Sequence, residues 1–136
     1  MTGRPEIVDE LLSGPYPFCL STVGKDGSPY TVVIWCAPEG EKVTVNAAES
    51  RWLRNLRRDP RVSFVVVDTG NILRHVAGQG TLAAIEPDEG YAHINSLSQI
   101  YEGRDYAYES PEEVPRFKVV IEPGEFRTLD LSPEDA

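Results

Sequence analysis

Residues 43–67, VTVNAAESRWLRNLRRDPRVSFVVV, read as a strand, a short helix and a second strand, and they constrain the fold more tightly than any other stretch of the chain. Ser50 is the expected N-cap, with a hydroxyl able to accept a backbone N–H of the first turn. At about 100° per residue, Trp52, Leu53 and Leu56 share one face, while Arg51, Arg54 and Arg58 share the other. Asp59-Pro60 ends the helix, because a proline disfavours helical geometry in the residue before it. The segment also holds five arginines between Arg51 and Arg61. A free helix start flanked by arginine can hold a phosphate, since unpaired N–H groups and the helix dipole both favour an anion there. The same spacing equally describes a solvated basic helix packed by its apolar face.

The rest of the chain is rich in short strands. Phe18–Val23 is a strand, Lys25-Asp26-Gly27-Ser28 a hairpin turn centred on Asp-Gly, and Tyr30–Ala37 the returning strand. Alternation along that strand puts Thr31, Val33 and Trp35 on one face and Val32 and Ile34 on the other. After a turn at Pro38–Glu41, Lys42–Asn46 is the third strand. Arg61–Asp68 is β-branched and apolar on both faces, which predicts a central strand. Val76–Glu86 follows, with Gly78 and Gly80 marking a bulge or close backbone approach. Residues 87–100 carry a helical repeat, 102–115 a polar loop, and Arg116–Glu122 and Phe126–Leu131 two closing strands. Pro5 to Ser13 predicts a short N-terminal helix ended by Gly14, and residues 132–136 a flexible tail. Residues 1–136 read as one mainly β domain with flanking helices, a small closed or half-open barrel of six to seven strands.

Charge and motifs narrow the function. Thirteen Lys and Arg against 22 Asp and Glu give a net charge of −9, with 40% hydrophobic and 26% charged residues. That balance argues against nucleic acid or an anionic membrane as partner, and makes the arginine cluster a positive island suited to a small anion. No apolar run is long enough to span a bilayer and no signal-peptide pattern opens the chain, so the expected location is cytoplasmic. Cys19 and Cys36 sit in apolar strand-like runs and read as two reduced core thiols. His75 and His93 are isolated, so no metal site is expected. There is no GxSxG elbow, no Walker loop and no GxGxxG after a strand, so no catalytic side chain is assigned.

NLRRDPRVSFVVVD, preceded by a strand, resembles the signature of the pyridoxamine-phosphate-oxidase-like split β-barrel proteins, also called FMN-binding split barrels. The likeness extends to FCLSTVGKDGSPYTVVIWCAPEGEKVTVNAAES, to GQGTLAAIEP, to IYEGRDYAY and to FKVVIEPGEFRTLDL, nearly the whole chain. Within that family it looks most like the branch of coenzyme F420-dependent (deazaflavin) oxidoreductases and their FMN-binding relatives. The chain departs from the pattern at one place. Many relatives begin the helix with an arginine at the position of Ser50 and a lysine at that of Trp52, which contact the cofactor phosphate.

The resemblance implies a homodimer with coenzyme F420, or alternatively FMN, at the subunit interface, transferring a hydride to or from a small organic substrate. It implies that Thr31, Val33 and Trp35 line the ring, and that Asn46, Ala47, Ser50, Arg51, Trp52 and Asn55 take the ribityl chain and phosphate. Arg74, Tyr101, Arg104, Asp105 and Tyr106 resemble positions that approach from the partner or a flanking loop. Trp35 otherwise fills the barrel or dimer seam, and Trp52 either stacks on the ligand or anchors the helix. The alternative function is a non-catalytic flavin or heme carrier.

Overall fold

The computed structural model describes residues 4–133, beginning with α1 (Glu6–Ser13) and β1 (Phe18–Val23). The chain continues through β2 (Pro29–Ile34), β3 (Cys36–Glu39), β4 (Lys42–Ala48), α2 (Arg51–Arg58), β5 (Arg61–Val67) and β6 (Arg74–Pro87). A single 3-10 turn (Glu89–Tyr91), α3 (Ala92–Glu102) and β7 (Arg116–Asp130) complete it. The seven strands form one antiparallel sheet in the order β2-β1-β5-β6-β7-β4-β3, rolled into a split barrel whose two edge strands do not pair.

The barrel interior is filled by alternate residues of the strands, among them Phe18, Leu20, Val43, Val45, Phe64, Val66, Val76 and Ile121. Helices α1 and α2 close it with their apolar stripes: Val8, Leu11 and Leu12 from one, Trp52, Leu53 and Leu56 from the other. Each fully buried leucine contributes about 1.5–3 kcal/mol relative to exposure. Trp52 is 7% exposed, so the indole anchors its helix on the barrel.

Four sequence expectations are corrected. First, Tyr30–Ala37 is two strands: the chain leaves β2 at Trp35 and enters β3, at the far edge of the sheet. Trp35 therefore does not share the outward face of Thr31 and Val33. Second, β5 is an interior strand between β1 and β6, as expected, but the strand most fully buried on both faces is β4. One face of β4 (Val43, Val45, Ala47) points into the barrel, while Thr44 and Asn46 on the other are covered by residues of α3 and β7. Third, the two closing strands are one continuous β7, which bends past β6 through register shifts at Gly78/Gly80 and Leu82/Ala84. A Cβ on Gly80 would lie 2.6 Å from the Glu122 carbonyl oxygen, so the close approach needs glycine. Fourth, Cys36 is buried but Cys19 is only half-buried, on the outward face of β1 opposite Val33 and Val65.

Replacing Trp52 by lysine places an ammonium among Leu53, Leu56 and the barrel core. The expected loss is about 3–5 kcal/mol of unfolding free energy, the range for truncating a buried aromatic, measured by urea denaturation.

Candidate functional site

Two concave regions flank the β2 edge. The first is a cleft of about 510 Å³ between the end of β2, α3 and the loop that follows it, walled by Trp35, Tyr101, Tyr106 and Tyr108 with Asn46 and Arg116 at its polar side. The second is a groove of about 710 Å³ between the β1–β2 turn and the exposed face of α2, lined by Lys25, Asp26, Tyr30, Arg51, Arg54, Asn55 and Arg58.

The cleft is built outside the barrel by a second small apolar cluster. Tyr91, Ile94 and Leu97 pack against Trp35, Ala37 and Tyr106. Trp35 stacks on Tyr101 with centroids 5.3 Å apart and meets Tyr106 edge-on at 6.2 Å. The Tyr101 hydroxyl accepts the Cys36 N–H at 3.1 Å and donates to the Tyr16 carbonyl at 2.6 Å, stitching α3 to the β2–β3 corner. Burial pushes its pKa well above the ordinary tyrosine value, and pushes the neighbouring Cys36 thiol up to about 12, so both stay protonated. Tyr91 holds the loop after α3: its hydroxyl donates to the Ser110 and Val114 carbonyls while its backbone adopts φ 63°. α3 ends at Gly103 in the left-handed region (φ 73°), whose N–H caps the Ser98 and Gln99 carbonyls.

Below the cleft runs a buried polar chain. Asn46 Nδ2 donates to Asp88 Oδ2 at 3.0 Å and to His93 Nδ1 at 2.9 Å, while Asn46 Oδ1 accepts from Arg116 Nε at 2.8 Å. Thr44 Oγ1 donates to the Ala37 carbonyl, so His93 Nε2 is the ring nitrogen that carries the proton and donates to Thr44. Asp88 also caps the start of α3, accepting the His93 and Ile94 N–H groups. Arg116 Nη1 pairs with Glu109 at 2.9 Å and reaches the Tyr106 hydroxyl at 3.3 Å.

The groove is electropositive because its four cations outnumber its one lining carboxylate, Asp26, which feels the charge of Arg51. Arg57 is held by both carboxylate oxygens of Glu49 and Arg61 by Asp59. Arg51, Arg54, Arg58 and Lys25 make no ion pair among the described residues; Arg51 lies over the Tyr30 ring at 5.1 Å and Arg58 bonds Asn55 Oδ1. Ser50 has the extended backbone of an N-cap and its carbonyl accepts the Arg54 N–H. The expected side-chain cap bond is absent, however, because the hydroxyl is buried with no hydrogen-bond partner among the described residues.

The residues singled out from sequence fall into five neighbourhoods. Val33, Trp35 and Asn46 line the cleft, and Arg51 and Asn55 line the groove. Thr31 faces outward, bonded to Ser21 at 2.7 Å. Ala47 and Trp52 belong to the barrel core, with Ser50 at the adjoining helix start. Arg74 is brought to neither concavity: Glu10, Asp68 and Asp130 surround its guanidinium. Of the loop residues, Tyr101 and Tyr106 line the cleft. Arg116, His93, Asp88 and Lys25 were not foreseen. Two polar residues on one face of β4, Thr44 and Asn46, were the available sign that buried partners had to exist.

The sequence profile of the pyridoxamine 5'-phosphate oxidase family matches residues 5–130. Among solved structures, an F420 reductase superposes with a TM-score of 0.81 at 28% identity, covering 91% of this chain and 98% of that one. A conserved hypothetical protein from Mycobacterium tuberculosis gives 0.73 at 27% identity, covering 93% and 85%. A heme-storage protein from Vibrio cholerae shares the fold at a TM-score of 0.62 and 16% identity, covering 93% and 95%. No curated protein sequence matches the chain.

Burial lowers the His93 pKa below its ordinary value of 6.5. The native state thus keeps the ring neutral, and the unfolded chain binds the proton first as pH falls through 6.5. Stability is complete above that value and declines below it. His93→Gln removes this contribution, so its unfolding free energy should fall less steeply than that of the parent chain between about pH 7 and pH 5, as followed by chemical denaturation.

Proposed function

Since the chain belongs to the pyridoxamine 5'-phosphate oxidase family, we propose that it is a homodimeric oxidoreductase that holds coenzyme F420 and transfers a hydride to or from a small organic substrate. The observation that carries this reading is the groove beside α2. Four cations that make no ion pair among the described residues line the groove along the outer face of α2, against the one carboxylate of Asp26, on a protein of net charge −9; the Ser50 hydroxyl at the start of that helix is buried and has no partner among the described residues. Similarity to the F420 reductase at 28% identity supports the choice of cofactor. So does the number of cations: F420 carries a phosphate and several carboxylates, whereas FMN carries a single phosphate. Arg51, Arg54, Arg58 and Lys25 would bind these anions, with Ser50 and the first N–H groups of α2 at the phosphate. Arg51 and Arg54 thereby take over the positive charge that many relatives carry at the positions of Ser50 and Trp52.

Bound there, the deazaflavin ring supplies the hydride chemistry, and the protein supplies orientation and shielding. Thr31 and Val33 would form the floor for the ring, and the groove lies within about 13 Å of Val33 along β2 at roughly 3.3 Å per residue. Val33 also lines the aromatic cleft, so on this reading a substrate in the cleft would lie beside the ring.

The dimer is supported by a bare sheet face. Val33, Cys19, Val65 and Ala77 are register neighbours on four adjacent strands and form a row of small apolar side chains. Val33 at its end is 66% exposed in the isolated chain. A second copy would cover this row, in an interface expected to bury at least about 2,000 Å². Light scattering should return twice the chain mass at micromolar concentration; a monomer would refute the shared site.

Arg51→Ala should weaken coenzyme F420 by ten- to hundredfold, the effect of losing a charge-assisted contact worth about 1.5–3 kcal/mol. Arg57→Ala should change it little, because Arg57 is already held by Glu49. Titration of F420, FMN and heme side by side makes the comparison. Equal small effects of both variants would reduce the groove to solvated surface, and tighter binding of heme would favour the carrier reading.

A further inference from the structure

We propose that Arg116 is the substrate-selecting residue of the aromatic cleft, and that the preferred substrates are planar aromatic molecules carrying one carboxylate or similar anion. The word substrate rests on the oxidoreductase reading; the ligand preference itself does not.

The cleft offers rings rather than hydroxyls. Tyr101 OH is committed to the Tyr16 carbonyl and the Cys36 N–H, Tyr106 OH to Glu109, and Tyr108 OH to Glu102. What these side chains leave facing the space is aromatic surface, with Trp35 stacked on Tyr101 and Tyr106 set edge-on to Trp35 and Tyr108. Such walls suit offset or edge-on packing of a flat aromatic ligand.

The polar wall is supplied by Arg116. Its Nε and Nη1 are occupied by Asn46, Glu109 and Tyr106, but Nη2 makes no hydrogen bond among the described residues. The side chain is only 13% exposed, so an anion meeting it does so in a partly desolvated place where the contact is strong. The guanidinium cannot swing away cheaply. Asn46 fixes it from below, and Asn46 is itself fixed by Asp88 and His93. Two acidic groups oppose the preference. Glu109 partly neutralises Arg116, while Glu102 at the rim lies 3.7 Å from Arg104 and accepts from Tyr108. Removing the Glu109 charge should therefore strengthen anion binding.

The test uses the full chain with no added cofactor and three isosteric probes: 2-naphthoate, 2-naphthamide and 2-naphthylmethylammonium, followed by tryptophan fluorescence. The parent chain should bind the carboxylate at least about tenfold more tightly than the neutral amide, and the ammonium most weakly. Arg116→Gln should erase that preference while Arg104→Gln, at the exposed rim, keeps it. Glu109→Gln should tighten naphthoate several-fold and leave naphthamide unchanged, which decides the matter even if Arg116→Gln fails to fold. Equal affinities for the three probes, tighter binding of the ammonium, no binding of any, or no gain in Glu109→Gln would overturn the assignment. Because no cofactor is present, a failed F420 titration leaves this result standing. F420 binding without a naphthoate preference would sink only the inference about Arg116.

Discussion

A polar side chain in the middle of a strand buried on both faces must have its hydrogen bonds met or be replaced by something apolar, and Asn46 meets that condition by recruiting three elements at once. Its amide is 5% exposed, and Asp88, His93 and Arg116 satisfy it from the turn before α3, from α3 itself and from β7. The chain outside the barrel is thus organised from one position inside β4. Asp88 caps α3, α3 brings Leu97 and Tyr101 against Trp35, and Arg116 is delivered to the edge of the same space. Loss of the Asn46 amide would leave a carboxylate, an imidazole and a guanidinium partly unpaired together, so the cleft and its polar wall stand or fall as a unit.

The break at Trp35 is the second organising event. A strand continuing straight through residue 35 would have left the indole beside Thr31 and Val33 on the outward face. Instead the chain leaves β2 there and pairs Cys36–Glu39 with β4 at the other edge of the sheet, held in place by the Tyr101 hydroxyl on the Cys36 N–H. One face of β2 is left bare and one aromatic ring is turned into the cleft. Two surfaces of different chemistry thereby meet at Val33: a flat row of small residues fit for a partner copy or a ring, and an aromatic recess fit for a small molecule.

Electrostatics divide the labour between the two concavities. On a chain of net charge −9, most cations are matched to a carboxylate, as with Arg74, Arg57, Arg61 and Lys118. Apart from Arg127 on β7, the cations with no ion pair among the described residues lie beside α2, where the proposed multiply charged cofactor would sit. Arg116 is the intermediate case, matched to Glu109 but with donors to spare. That grading, from unmatched groove to half-matched cleft, fits a tightly held polyanion next to a singly charged ligand that must come and go.

Local patterns in the sequence carried a large part of this architecture. The period of Trp52, Leu53 and Leu56 placed α2 and its buried face, Asp59-Pro60 ended it, and the bulge glycines Gly78 and Gly80 marked where β6 and β7 bend. The arginine cluster and the family likeness were legible too, because both are written in contiguous residues. The partners of those residues were not. Which arginines stay unmatched depends on where Glu49 and Asp59 fall in space, and Asn46 meets Arg116 across 70 positions of chain. Whether β4 or β5 is covered twice is likewise decided by where α3 docks, since an apolar alternation looks the same under a helix, a partner subunit or solvent. The chain alone determined where most strands and helices lie and what chemistry they carry, though not that the second strand breaks at Trp35 or that the last two join. Tertiary structure decided which of those groups face one another, because burial and charge pairing are properties of neighbours in space rather than in sequence.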